Sequence, residues 1–313
     1  MNNDNSIETV YEYVDQVALN ISEQTNLPYL KGVSEAIGFL IDHRLTVPVD
    51  LESEKNIEIA RQSLDSVELS KETVRKGIQI ALLKGFKELD ITNAMMTPDS
   101  IGMFMAYLIS KLYGGRKPLK VLDPLSGTGN LLATLINHYD ERLDLSGIEI
   151  DPLLADLSKN LLDALDVEAS IATKDTLAYH GDPVDLIVTD FPVESIDRKN
   201  AYLPYQVILH HMSHVKPGGY FVALIENNFF EQNEADTFKE RLMEEAHLYG
   251  LLKLDESLFT NHHKSILILK RKTHKEETEE KFLVVDLPPF TDETAFNRSL
   301  DKIEDWFKNR KVD

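Results

Sequence analysis

Val121-Leu122-Asp123-Pro124-Leu125-Ser126-Gly127-Thr128-Gly129-Asn130-Leu131-Leu132 places an acid at the end of an apolar run and two glycines just ahead of a helical pattern. Strand, tight glycine turn and helix together open an α/β sheet, where glycines let the backbone turn sharply and approach a ligand at the carboxyl edge of the strands. A lone Gly-x-Gly is weak evidence, and the next strand strengthens it. That strand ends near Glu149, 20 residues past Gly129, where a carboxylate can accept two hydrogen bonds from a ribose diol. A nicotinamide dinucleotide turn would want a third glycine where this chain has Leu132, and would offer its helix N-terminus to a pyrophosphate. Asp123 points away from that ligand, because a carboxylate attracts a cation such as a sulfonium and repels a pyrophosphate.

Short β-branched runs alternate with amphipathic helical patterns after Asp90. The strand candidates are Leu119 to Asp123, Leu145 to Ile150, Ala169 to Thr173, Asp185 to Thr189, Tyr220 to Glu226, Tyr249 to Leu254 and Ser265 to Lys270. Helices between the first five give a doubly wound layout. Only Asp255 to Lys264 joins the last two, too short for a crossover helix, so that hairpin is antiparallel. The expectation is an α/β, Rossmann-like sheet of seven strands over 91–272. Upstream, Val10, Tyr13, Val14 and Val17, then Val33, Ile37, Leu40 and Ile41, then Val67, Val74, Ile78, Leu82 and Leu83 recur at helical spacing. They predict an all-α N-terminal domain over 1–90, broken at Leu27-Pro28 and Val47-Pro48. Residues 273–313 read as a charged linker, a strand near Phe282 to Leu287 and an amphipathic docking helix carrying Phe296, Ile303, Trp306 and Phe307.

With 313 residues, 42% of them hydrophobic, the chain can bury a sizeable core. It has no cysteine, which excludes disulfides, thiolate metal sites and cysteine nucleophiles. The first residues show no signal-peptide pattern and no apolar run reaches membrane-span length, so a cytoplasmic location and no membrane are expected. The formal charge is −20, with acids outnumbering bases in each of the three regions. No stretch advertises the basic face that a phosphate backbone requires.

The chain resembles class I S-adenosylmethionine-dependent methyltransferases, and within them the N6-adenine DNA methylases, especially the modification subunits of type I restriction systems. The resemblance covers roughly Met95 to Lys272 and rests on ordered blocks. These are Met96-Thr97-Pro98, Asp123 to Gly129, Gly147-Ile148-Glu149-Ile150-Asp151, Lys174-Asp175-Thr176-Leu177, Thr189-Asp190-Phe191-Pro192-Val193, Lys216-Pro217-Gly218-Gly219, and Leu258-Phe259 with Ser265 to Leu269. It implies S-adenosylmethionine as cofactor, with Thr97 and Pro98 at its methionine end, Asp123 and Gly127 on the cofactor loop, Glu149 on the ribose and Asp175 at the adenine amine. The same resemblance counts Pro124, Ser126, Thr128, Gly129, Asn130, Ile150, Thr176 and Asp190 among the cofactor-binding residues.

In that family the fourth strand ends in Asn or Asp, Pro, Pro and an aromatic residue. An exocyclic amine conjugated to a ring is a poor nucleophile. A side-chain oxygen and a backbone carbonyl accept its two hydrogens, and its lone pair then faces the methyl group with no metal needed. The aromatic ring stacks on the flipped base. This chain has Asp190-Phe191-Pro192-Val193, so Asp190, Phe191 and Pro192 are the catalytic candidates. Val193 supplies no ring, for which Phe191, Tyr202 and Tyr205 are the candidate substitutes. Met95 stands where relatives present an aromatic residue, and no target-recognition domain is evident.

The resulting expectation is N-methyl transfer to a nucleobase amine, adenine N6 in DNA or RNA by resemblance. The alternatives are a catalytically impaired S-adenosylmethionine-binding regulatory or interaction protein and a methyltransferase for a protein or small-molecule amine. A protein partner or a homodimer would use the helical domain. His210, His211 and His214 share a predicted helix without the acid of an H-E-x-x-H site, so they read as surface or interface histidines and no metal is expected. His262 and His263 read as turn residues. Glu226-Asn227-Asn228 lies at the ligand edge, as a substrate contact or a helix cap.

Overall fold

Residues 3–89, 96–114, 117–193, 201–259, 261–274 and 281–310 are described by the structure, a computed structural model of the chain. In order, the helices are α1 (Asn3–Thr25), α2 (Tyr29–Asp42), α3 (Leu51–Gln62), α4 (Lys71–Glu88), α5 (Asp99–Leu112), α6 (Asn130–His138), α7 (Pro152–Ala164), α8 (Leu203–His211), α9 (Ala235–Glu245) and α10 (Glu293–Lys308). The strands are β1 (Leu119–Asp123), β2 (Leu143–Glu149), β3 (Ala169–Thr173), β4 (Val184–Asp190), β5 (Val215–Glu226), β6 (Ala246–Lys253), β7 (Lys264–Arg271) and β8 (Leu283–Asp286). The chain forms two compact units, one of Met1–Met96, Ser126–Ala133 and Glu149–Thr173, the other of Thr97–Leu125, Thr134–Ile148 and Lys174–Asp313.

In the first unit the apolar stripe of α1, with Val10, Tyr13, Val14, Val17 and Ile21 all buried, faces α2 and α4. Gly32 permits that approach, since a Cβ there would stand 2.4 Å from the Ala18 carbonyl oxygen. The Tyr13 hydroxyl donates to the Ala36 carbonyl at 2.8 Å. Asp50 and Ser70 cap α3 and α4 by accepting from the amides of Ser53 and Thr73, which satisfies donors that a helix start leaves open. The same unit holds α7, and Asn160 donates to the Ser34 carbonyl and hydroxyl, each at 3.0 Å.

The sheet has eight strands in the order β3-β2-β1-β4-β5-β7-β6-β8. In the second unit β1 pairs in parallel with both β2 and β4, and β4 in parallel with β5. β7 runs antiparallel to β5 and to β6, as the short Asp255 to Lys264 connection predicts. Strand order reverses between β1 and β4, the position at which open sheets bind ligands beyond their carboxyl ends. Asp123 and Asp190 end these two neighbouring strands.

One expectation is corrected. The sheet has eight strands and not seven, because Leu283–Asp286 pairs in parallel with β6. Leu283 and Val285 are buried there while Val284 faces out, a period-two pattern that covers what would otherwise be a bare edge. The amphipathic α10 then buries Ile303, packs Trp306 edge-on against Tyr249, and joins Glu304 to Lys111 of α5 at 2.9 Å.

Candidate active site

In the first unit, Gly127 and Gly129 adopt φ of +52° and +77°, a backbone region that costs other residues energy. A Cβ on Gly127 would meet nothing within 4 Å, whereas one on Gly129 would stand 2.6 Å from Ser158 Oγ and 3.1 Å from Ser158 Cα on α7. The absence of a side chain at Gly129 lets the loop and α7 touch. The Glu149 carboxylate accepts from the Gly127 amide at 2.9 Å and the Asp151 amide at 2.8 Å. Ile150, beside it, is 67% exposed. Ser126, Thr128 and Asn130 are buried, and the Asn130 side chain accepts from Arg75 at 3.3 Å.

In the second unit, Asp123 is buried and its carboxylate accepts from the Leu125 amide at 3.0 Å; Pro124 is buried. Pro98 opens α5, and Thr97 donates its hydroxyl to Asp190 at 2.8 Å. Thr97 and Asp190, 93 residues apart in sequence, are thus brought together. Asp175 is exposed and caps a 3-10 turn through the Leu177 amide. The Thr176 hydroxyl is engaged by His211 Nε2 at 2.7 Å.

Asp190 carries a partner that sequence reasoning missed. Lys264, 3% exposed at the start of β7, donates its ammonium to the Asp190 carboxylate and, at 2.8 Å, to the Phe191 carbonyl. Arg75 on α4 was missed too; it is 1% exposed and forks onto Glu72 at 2.9 and 2.7 Å. Its signal was legible, since it shares a helical face with Ile78 and Leu82. That of Lys264 was not, because a cation heading an apolar strand names no partner.

The candidate rings do not stand free. Phe191, Tyr202 and Tyr205 are all buried in one core cluster with Phe229 and Phe238. Tyr205 lies flat on Phe238, with ring centroids 4.1 Å apart, and gives its hydroxyl to the Phe229 carbonyl. Tyr202 and Tyr205 still line a cleft of about 390 Å³ with Gln206, His210 and Arg241. Met95 and residues 194–200 lie outside the described residues.

The histidines also differ from expectation. His211, the last residue of α8, and His214, in the 3-10 turn that follows it, are buried and not at the surface. Burial, reinforced by His210 and His214, pushes the His211 pKa down to about 3. His210 spends its Nε2 on the Tyr179 carbonyl. His262, in the β6–β7 connection, lies 3.3 Å from the Glu226 carboxylate, and Asn227 accepts from Ser265.

The strand order β3-β2-β1-β4-β5-β7-β6, parallel but for β7, is that of the class I S-adenosylmethionine-dependent methyltransferase fold. Residues 92–313 match the N-6 DNA methylase family and residues 8–86 match the YtxK N-terminal helical domain. The chain belongs to the N-6 DNA methylase family. It is 31% identical to YtxK of Bacillus subtilis, over 97% of this chain and 98% of that one. A Listeria monocytogenes protein assigned to the class I S-adenosylmethionine-dependent methyltransferases shares its structure with a TM-score of 0.85 and 30% identity, covering 97% of this chain and 99% of that one. The methyltransferase subunit of a type I restriction-modification system from Streptococcus thermophilus matches at TM-score 0.61 and 14% identity, over 85% of this chain and 64% of that one, a likeness of fold. No helix among the described residues is long and apolar enough to cross a membrane.

Proposed function

We propose that this chain is an S-adenosylmethionine-dependent N-methyltransferase acting on the exocyclic amine of a nucleobase. One observation carries the acceptor side of that reading. The Asp190 carboxylate and the Phe191 carbonyl converge on a single amine nitrogen, at present Lys264 Nζ. Two acceptors from consecutive residues, aimed at one nitrogen, are what an amine needs in order to turn its lone pair toward an electrophile.

The residues present fit the cofactor. Glu149 offers a carboxylate beside a glycine whose added Cβ would meet only open space, and Asp123 offers negative charge where a cationic moiety would rest. Thr97, Pro98, Asp175 and the loop Pro124 to Asn130 complete the proposed cofactor set. When bound, the cofactor supplies an electrophilic methyl group. The chain's own part is to hold the amine at Asp190 and the Phe191 carbonyl, and to hold Asp190 through Thr97.

Calorimetry with S-adenosylmethionine tests the cofactor, and tritiated cofactor with adenine-containing DNA and RNA tests transfer. Label should enter nucleic acid and disappear with Asp190→Ala. Label that persists in that variant would remove Asp190 from the mechanism. A second reading, as a cofactor-binding interaction protein, rests on the burial of the three candidate rings Phe191, Tyr202 and Tyr205. Cofactor binding without any labelled product would select it.

A further inference from the structure

Lys264 sits where the acceptor should sit. Its ammonium engages one carboxylate oxygen of Asp190, and the Phe191 carbonyl at 2.8 Å; the second carboxylate oxygen takes the Thr97 hydroxyl at 2.8 Å. A hydrogen-bonded nitrogen must lie at about 2.9 Å from each acceptor. A nucleobase amine meeting both would therefore compete with Lys264 Nζ for the same two acceptors. The ammonium also neutralises the carboxylate and, at 3% exposure, has little access to water. An uncharged amine gains less from an acceptor already engaged by a charged donor.

We propose that Lys264 is the resident occupant of the acceptor-amine position and sets the specificity of the site: an acceptor enters only by displacing it. This rests on reading Asp190 and the Phe191 carbonyl as the amine-binding pair. The displaced ammonium has a destination. Glu226 on β5 is the register partner of Lys264, and cross-strand partners project from the same face of a sheet with Cβ atoms about 5 Å apart. Moving a flexible four-carbon stem from one carboxylate toward another conserves its charge pairing. A weakly donating amine pays the full cost of displacement, whereas an acceptor that brings several contacts of its own offsets it, so Lys264 discriminates between them.

The occupied state lowers apparent acceptor affinity by the fraction of time that the site is open, so an occupant present nine-tenths of the time costs about tenfold. The experiment measures label transfer from tritiated S-adenosylmethionine to a single-stranded, adenine-containing DNA oligonucleotide by the full chain, Lys264→Met and Lys264→Gln. Methionine fills the channel without charge; glutamine keeps one donor for Asp190 and guards against a methionine variant that fails to fold. Transfer should rise about tenfold in kcat/KM, mainly through KM, with cofactor affinity unchanged by calorimetry. Unchanged or reduced transfer in folded variants that still bind the cofactor overturns the proposal, since a purely structural ion pair predicts that result. A second readout needs no cofactor. Acetylation with N-hydroxysuccinimidyl acetate, read by mass spectrometry, should spare Lys264 and label exposed lysines, and excess oligonucleotide should raise Lys264 labelling. Labelling of Lys264 at the rate of exposed lysines in the free chain, or no rise with oligonucleotide, overturns it equally. Failure of wild-type cofactor binding defeats the proposed function instead, and leaves the acetylation result to decide occupancy.

Discussion

Arg75 Nη1 on α4 lies 3.3 Å from the side-chain oxygen of Asn130, the first residue of α6. A fully buried guanidinium from the helical segment therefore supports the last residue of the glycine loop, and Glu72 neutralises it from one turn earlier. Two families of contact, helix packing and loop geometry, meet in one side chain.

Arg75→Met should destabilise the chain by about 1.5–3 kcal/mol, the range for hydrogen bonds to charged groups, since it removes the fork onto Glu72 and the guanidinium contact to Asn130. The estimate stays below that for breaking a fully buried ion pair because the Glu72 side chain is 31% exposed. Arg75→Lys should fall short of rescue, because an ammonium cannot reproduce the fork. Urea midpoints at constant m-value measure both. Equal stability of all three proteins would show that the buried guanidinium contributes no net stability.

Much of the fold was legible because its periodicities are local. Val121-Leu122-Asp123 with its two glycines located the β1 turn, and the short Asp255 to Lys264 connection gave the antiparallel β7. The strand at Leu283–Asp286 was legible as a strand, but its membership of the sheet was not, because that place depends on the β6 edge that receives it. The proposed cofactor residues rest on glycine and acid spacing, which is a local pattern. Lys264 did not, because its role comes from β7 being inserted between β5 and β6, a long-range fact that no local pattern encodes. The histidines were misplaced for a related reason: helical spacing says which residues share a face, and only packing says whether that face is covered.

Gly127→Ala and Gly129→Ala separate two uses of glycine. Both glycines hold positive φ, so each alanine costs about 1–2 kcal/mol in backbone strain. At 129 the new Cβ also meets Ser158, and overpacking adds about 1–3 kcal/mol. Gly129→Ala should therefore melt well below Gly127→Ala. Gly127→Ala, whose Cβ enters open space, should mainly weaken S-adenosylmethionine in calorimetry. The reverse order of melting temperatures would contradict the described loop.

Glu149→Gln tests the ribose assignment with almost no change of shape. One amide oxygen can still accept from Gly127 or Asp151, so the fold should persist by circular dichroism. A ribose diol loses a charged acceptor worth about 1.5–3 kcal/mol, which corresponds to a fall in cofactor affinity of about ten- to a hundredfold. Unaltered affinity would place the ribose elsewhere.

Stability should fall on mild acidification, and His211 gives the sign. Its pKa in the folded chain is held down to about 3 from an ordinary 6.5, by burial first and then by His210 and His214. The unfolded chain thus takes up a proton below pH 6.5 that the folded chain refuses, so the contribution is complete above that pH and is lost as pH falls toward 3. His214 is depressed in the same direction by burial, His210, His180 and Arg271. Each such group costs about 1.4 kcal/mol per pH unit once fully in its window. Asp185 and Glu35, whose carboxyl pKa values are lowered by their partners, pull the same way but only nearer their own range, so pH 6.5 to 5 isolates the histidines. Urea unfolding across that interval should lose about 2 kcal/mol to His211. His211→Gln, whose amide can still meet the Thr176 hydroxyl, should flatten the slope by that amount. An unchanged slope in the variant would mean that His211 titrates alike in both states, and that the buried cluster admits a proton the described packing denies it.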